Sequence, residues 1–145
     1  MNRPQISVAL RLFHPDLDPE RVSSALGINP QHAWKAGEPR RTPEGESLPG
    51  VYPSGYWSIR RDLSEEAALD EFLASWVREL EPHASLLQEI SSSGGNAEFY
   101  VIWKYGATPR DTLGRGLLLA MAALGIDLSL EVFGRPPHGD EPPAE

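Results

Sequence analysis

Cysteine is absent from all 145 residues. That removes disulfides, thiolate metal ligands and cysteine nucleophiles, and it makes the cytoplasm the simplest address. Long apolar runs are missing too: none approaches the roughly 20 residues that cross a bilayer, so no membrane partner is expected. The opening residues, Met1-Asn2-Arg3-Pro4-Gln5, are polar, and no secretory leader is expected from them. Basic charge is the minority sign, with 13 Lys and Arg against 21 Asp and Glu, for a net charge of −8. A nucleic-acid binder needs a dense basic surface that displaces counterions. The pairs Arg40-Arg41 and Arg60-Arg61 do not amount to one, so no nucleic-acid partner is expected.

What is present reads as one folded domain. Hydrophobic residues make up 40% of the chain, enough for a buried core at this length. Residues 6–13 alternate, with Ile6, Val8, Leu10 and Leu12 on one side and Ser7, Ala9, Arg11 and Phe13 on the other, the period of a half-buried strand. Asp18-Pro19-Glu20 has the chemistry of a helix start and Gly27-Ile28-Asn29-Pro30 that of a helix end. Residues 56–61 alternate again. Asp62, with Glu65 three residues on, has capping-box spacing ahead of Leu69, Phe72, Leu73, Trp76, Val77 and Leu80, which share one helical face. Pro82 ends or kinks that helix, and a short second one carries Leu86, Leu87 and Ile90. A strand over 97–105 follows a Ser- and Gly-rich turn. A helix introduced by Pro109-Arg110-Asp111-Thr112 and ended by Gly125 precedes a last strand with Leu128, Leu130 and Val132 on one side. Residues 1–134 form the domain, and 135–145 read as a disordered, proline-rich acidic tail.

The stretch between the first helix and residue 56 is unusual. Residues 29–55 hold five of the fourteen prolines, and glycines at 37, 45, 50 and 55. A loop this long in a small domain carries structure or function of its own, with short strands expected around 32–35 and 50–52. Two of the four tryptophans belong to this region, Trp34 within it and Trp57 just after it. One reading has both pinning the loop to the sheet edge. The other makes them the walls of a groove lined by Lys35, Glu38, Arg40 and Tyr56, a binding set of Trp34, Lys35, Glu38, Arg40, Tyr56 and Trp57.

Other chemistry is thin. His14, His32, His83 and His138 have no neighbours in metal-ligand spacing, so neither a metal nor a cofactor is expected. There is no Walker loop, nucleophile elbow or dinucleotide fingerprint. Glu38, Glu44 and Glu46 sit in the long loop, where acids are usually solvated, so no catalytic residues are assigned.

Leu26-Gly27-Ile28 before Pro30, Trp34-Lys35-Ala36-Gly37-Glu38, Tyr56-Trp57-Ser58-Ile59, the amphipathic helix and a closing Leu124-Gly125-Ile126 occur in that order. In this the chain, over residues 6–133, resembles the domain of unknown function 4279 family of small bacterial proteins. The resemblance implies that Gly27, Pro30, Trp34, Gly37 and Trp57 belong to a shared pattern; it implies no activity.

The order of elements and the one-sided strands predict an α+β fold: a mainly antiparallel or mixed sheet of four to five strands with helices on one face. If the long loop supplies a strand pairing with residues 56–61, the first part approaches a ferredoxin-like βαββαβ unit. The opposite face would carry Arg11, Phe13, Ser58, Arg60, Tyr100, Ile102, Lys104, Glu131 and Phe133, a set apolar enough to suit an interface unless the long loop folds back over it. The expected function is a non-catalytic binding or protein-interaction module, its partner another protein or a second copy in a homodimer. The alternative is a small-molecule-binding protein or enzyme using the groove between Trp34 and Trp57.

Overall fold

The computed structural model describes residues 6–64, 66–104 and 111–134. The expected tail over 135–145, Glu65 of the capping box, Tyr105 and the Pro109-Arg110 helix start lie outside the described residues. Strand β1 (Ile6–His14) leads to helix α1 (Pro19–Leu26). The long loop resolves into β2 (His32–Trp34), β3 (Pro39–Arg41) and β4 (Ser47–Val51), followed by β5 (Gly55–Asp62). Helix α2 (Leu69–Leu80), a single 3₁₀ turn at Glu81–His83 and α3 (Ala84–Ser92) come next, then β6 (Asn96–Trp103), α4 (Arg115–Ala123) and β7 (Ile126–Val132).

The main sheet is five-stranded and mixed, in the order β2-β5-β1-β6-β7. All its pairs are antiparallel except β6 with β7. β1 and β2 therefore run parallel with β5 between them, and β5 and β6 run parallel with β1 between them. Two crossovers, each straddling a strand of the other, make the ferredoxin-like βαββαβ arrangement, built from β1-α1-β2-β5-α2/α3-β6. β2 pairs with β5 through His32↔Ser58 and Trp34↔Tyr56, the strand on which the expected arrangement depended. α4 and β7 extend this unit on one side. On the other, β3 and β4 pair with each other as a separate hairpin inserted between β2 and β5.

Alternation decides which residues meet the helices. Val8, Leu10 and Leu12 of β1, Trp57 of β5 and Ala97, Phe99 and Val101 of β6 share a face and are fully buried. Leu73, Trp76, Val77 and Leu80 of α2 and Leu87 and Ile90 of α3 close the same core. Trp76 sits between Phe72 and Phe99, at 5.8 and 5.3 Å between ring centres, with the Arg61 guanidinium 4.2 Å over its ring. No helix among the described residues is long and apolar enough to cross a membrane.

Helix ends follow local chemistry with two corrections. Asp18 caps α1 by accepting from the Glu20 amide, Pro19 takes the first helical position, and Gly27 ends the helix at φ 69°. Leu124 caps α4, and Gly125 at φ 74° turns the chain out of it one residue later. Asp62 does not cap α2. It belongs to β5 and pairs with Arg60, and the helix starts seven residues later at Leu69. The cap comes from across the fold, where Asp111 Oδ2 accepts the Leu69 amide at 3.1 Å. α4 also begins later than its periodicity suggests, at Arg115. Gly114 and Gly116 disfavour an earlier start, and Asp111 is committed to α2.

Candidate functional site

The face of the sheet turned away from the helices carries the chemistry. Register places Phe13 opposite Tyr56, Arg11 between Ser58 and Glu98, and Ala9 opposite Tyr100. The Arg11 guanidinium carbon lies 4.6 Å from the centre of the Tyr100 ring, 5.1 Å from Phe13 and 5.9 Å from Tyr56. Its Nη1 is 3.3 Å from Glu98 Oε2, and the Ser129 hydroxyl donates to Glu98 Oε1 at 2.6 Å. Three ring contacts and one anchored carboxylate hold the cation in place. Its Nε has no hydrogen-bond partner among the described residues.

The β3–β4 hairpin overhangs the Phe13 end of this face. Gly37 donates to the Tyr52 carbonyl at 2.8 Å and Tyr52 to the Glu38 carbonyl at 2.9 Å, closing the base of the hairpin. The Tyr52 hydroxyl receives the Arg41 amide and donates to the Arg41 carbonyl. The hairpin is joined to the sheet through Trp34. The Tyr52 ring stacks on Trp34 at 4.0 Å and 7°, Tyr56 stacks on Trp34 at 4.7 Å and 29°, and Phe13 follows against Tyr56 at 5.2 Å. Between hairpin and sheet lies an open cleft of about 1160 Å³. Arg40 and Arg41 line it against the single acid Glu38, with His32 and the Glu98-paired Arg11 beside them, so its local charge opposes that of the chain.

Of the six residues predicted to bind, Trp34, Glu38, Arg40 and Tyr56 line this cleft. Lys35 is exposed and is not part of the lining. Trp57 is a correction. It is fully buried on the helix side, where its Nε1 donates to Ser23 Oγ of α1 at 3.0 Å. The register explains why: Trp34 pairs with Tyr56, and directly paired residues share a face, so the next residue along β5 points the other way. A groove walled by Trp34 and Trp57 therefore does not form. The loop folds back over the Phe13 end of the open face, while Phe133 is exposed. Tyr52, His32 and Arg41 were not read as site residues, and Tyr52 lies in a stretch with no periodicity to place it.

A smaller cavity of about 220 Å³ lies at the other side of β1, between His14, Arg21, Glu89 and Ser93. His14 Nε2 is 2.9 Å from Ser93 Oγ, a separation seen in nucleophile–base pairs. The surrounding bonds assign the opposite direction. His14 Nδ1 accepts the Asp16 amide, which leaves the proton on Nε2 to donate to Ser93, and the Ser93 hydroxyl donates to the Glu89 carbonyl at 2.6 Å. The pair holds the turn after α3 and does not activate the serine. Glu89 and Arg21 make a two-point ion pair at 2.8 and 3.2 Å. Its hydrogen bonds hold the Glu89 carboxyl below its ordinary range and raise the guanidinium above its own. Glu38, Glu44 and Glu46 are exposed, and no group of three His, Asp or Glu among the described residues is placed to hold a metal.

A family model described as a domain of unknown function (DUF4279) matches residues 4–133. Comparison with curated proteins and with solved structures finds no match.

Proposed function

The chain belongs to the DUF4279 family, and we propose that this member is a non-catalytic binding module that takes an acidic, extended segment of another protein into the cleft between the β3–β4 hairpin and the sheet. The observation that carries the reading is the cleft itself: a basic and aromatic slot on an acidic protein, with one wall fixed in advance by the Tyr52–Trp34–Tyr56 stack. A recognition surface ordered before binding loses less entropy when its partner arrives. Tyr52 and Tyr56 both stack on Trp34 and Arg11 is paired with Glu98, so the contacts left for a partner are Phe13, His32 and the hairpin arginines. The slot is open along its length, which suits a peptide better than an enclosed small molecule. Arg40 and Arg41 are exposed on the hairpin, where they would speed encounter with an acidic partner and make binding salt-dependent.

Selection from a displayed library of random peptides tests this. Peptides rich in Asp and Glu should be recovered, and Arg41→Glu should weaken them by slowing association, with the loss shrinking as salt is raised. Recovery of neutral or basic peptides, or indifference to Arg41→Glu, would retire the proposal. Tight binding of a small anion that displaces no peptide would favour the small-molecule alternative.

A further inference from the structure

We propose that β7 is a second docking edge, which accepts an extended peptide of alternating apolar and basic residues as a sixth strand of the sheet. This rests on a different surface from the cleft and stands or falls separately. The two edges of the sheet are built differently. β2 is three residues long, follows Pro30, and leads into the overhanging hairpin. β7 is seven residues long, has no proline, and keeps unbroken register with β6 from Ile126 to Val132. Sheet edges are normally blunted by shortness, proline, bulges or charged side chains; β7 has none of the first three, and its charges are the two acids Asp127 and Glu131.

Its side chains specify the occupant. On the helix side Leu128, Leu130 and Val132 line up with Phe99, Val101 and Trp103 of β6, yet Leu130 is 58% and Val132 64% exposed. On the other side stand exposed Asp127 and Glu131, and β7 has no base. A strand beside β7 therefore meets apolar surface on one face and two carboxylates on the other. Alternating Val or Leu with Lys or Arg satisfies both.

A second copy fits poorly. Antiparallel self-pairing centred on Ser129 sets Asp127 directly opposite Glu131 of the other copy, twice over, and like charges so placed repel. A shift by two residues leaves the four acids in diagonal reach with no base among them.

The backbone gives a specific handle. The Phe133 amide donates to the Trp103 carbonyl at 2.8 Å, so the odd-numbered amides face β6 and those of Leu128, Leu130 and Val132 face outward. Proline is tolerated on an edge where its missing N–H would point to solvent. The experiment uses fluorescence anisotropy with a labelled peptide of alternating valine and lysine, against one of identical composition with its lysines grouped at one end. The alternating peptide should bind at least about tenfold tighter and should slow hydrogen exchange at Leu128, Leu130 and Val132. Leu130→Pro should abolish that preference with an intact melting transition. Should Leu130→Pro fail to fold, Asp127→Lys with Glu131→Lys remains decisive, because it should switch the preference to a valine–glutamate peptide. Equal binding of the grouped peptide, an unswitched double variant, or a wild-type dimer that Leu130→Pro dissolves would overturn the proposal.

Discussion

Replacing Trp34 with Ala should unlatch the hairpin and leave the domain folded. Trp34 contacts Tyr52 at 4.0 Å and Tyr56 at 4.7 Å, both in stacked geometry. Each aromatic pair contributes about 0.5–1.5 kcal/mol beyond the area it buries. Losing both therefore costs about 1–3 kcal/mol, set against an opening that exposes only the hairpin. Without Trp34 the hairpin keeps the bonds of its own base, Gly37 to Tyr52 and Tyr52 to Glu38, which a detached hairpin holds only weakly. The core of Leu10, Leu12, Trp57, Leu73 and Trp76 is untouched, so the global loss is capped at those roughly 1–3 kcal/mol, a fall of only a few degrees per kcal/mol in melting temperature. Trp57→Ala is the contrast: a fully buried ring is lost and Ser23 Oγ loses its donor, a global cost of about 3–5 kcal/mol. Hydrogen exchange read by mass spectrometry separates the two. Trp34→Ala should speed exchange at Gly37 and Tyr52 by roughly tenfold to a hundredfold, with β1, β5 and β6 still protected. Unchanged hairpin protection, or a global loss matching that of Trp57→Ala, would refute the latch.

Trp76→Ala removes the ring between Phe72, Phe99 and Arg61 and should destabilise the whole domain by about 3–5 kcal/mol in a denaturant titration. Asp111→Ala deletes the remote cap on α2 and should cost about 1 kcal/mol, with faster exchange confined to the first turn at Leu69. Acid should also destabilise the fold. Arg61 donates twice to Glu79 at 2.9 Å and holds its carboxyl below the ordinary range. A depressed carboxylate contributes its full stabilisation above its unfolded pKa and loses it as pH falls through that value toward the folded one. Melting temperature should therefore fall as pH drops below about 4.5, and Glu79→Gln should flatten part of that fall. The side chain is half exposed, so the share is under about 1 kcal/mol.

Alternation and capping chemistry made most of the fold legible. Ile6 to Leu12, the α2 stripe and the Phe99–Val101 pair are buried as their spacing requires, because periods of 2 and 3.6 report which side of an element meets apolar neighbours. Spacing cannot report what arrives from a distant part of the chain. Asp62 had a helix cap's sequence signature, but the cap is Asp111, 42 residues beyond the Leu69 amide it receives. The same limit shaped the site. Trp34 and Trp57 looked alike because both lie in the region of the long loop, and only the β2–β5 register shows that they face opposite ways. Leu128, Leu130 and Val132 carried a core pattern and lie on the core side, yet they stay exposed because β7 is the edge strand among the described residues and α4 is only nine residues long.

Hydrogen exchange of the domain with and without a library-selected acidic peptide tests the central claim most directly. Binding in the cleft should slow exchange in the hairpin over residues 37–52 and around Phe13 and Tyr56, leaving α2, α3 and β7 unchanged. Slowing confined to the helix side, or to β7 alone, would contradict the account and move the recognition surface elsewhere.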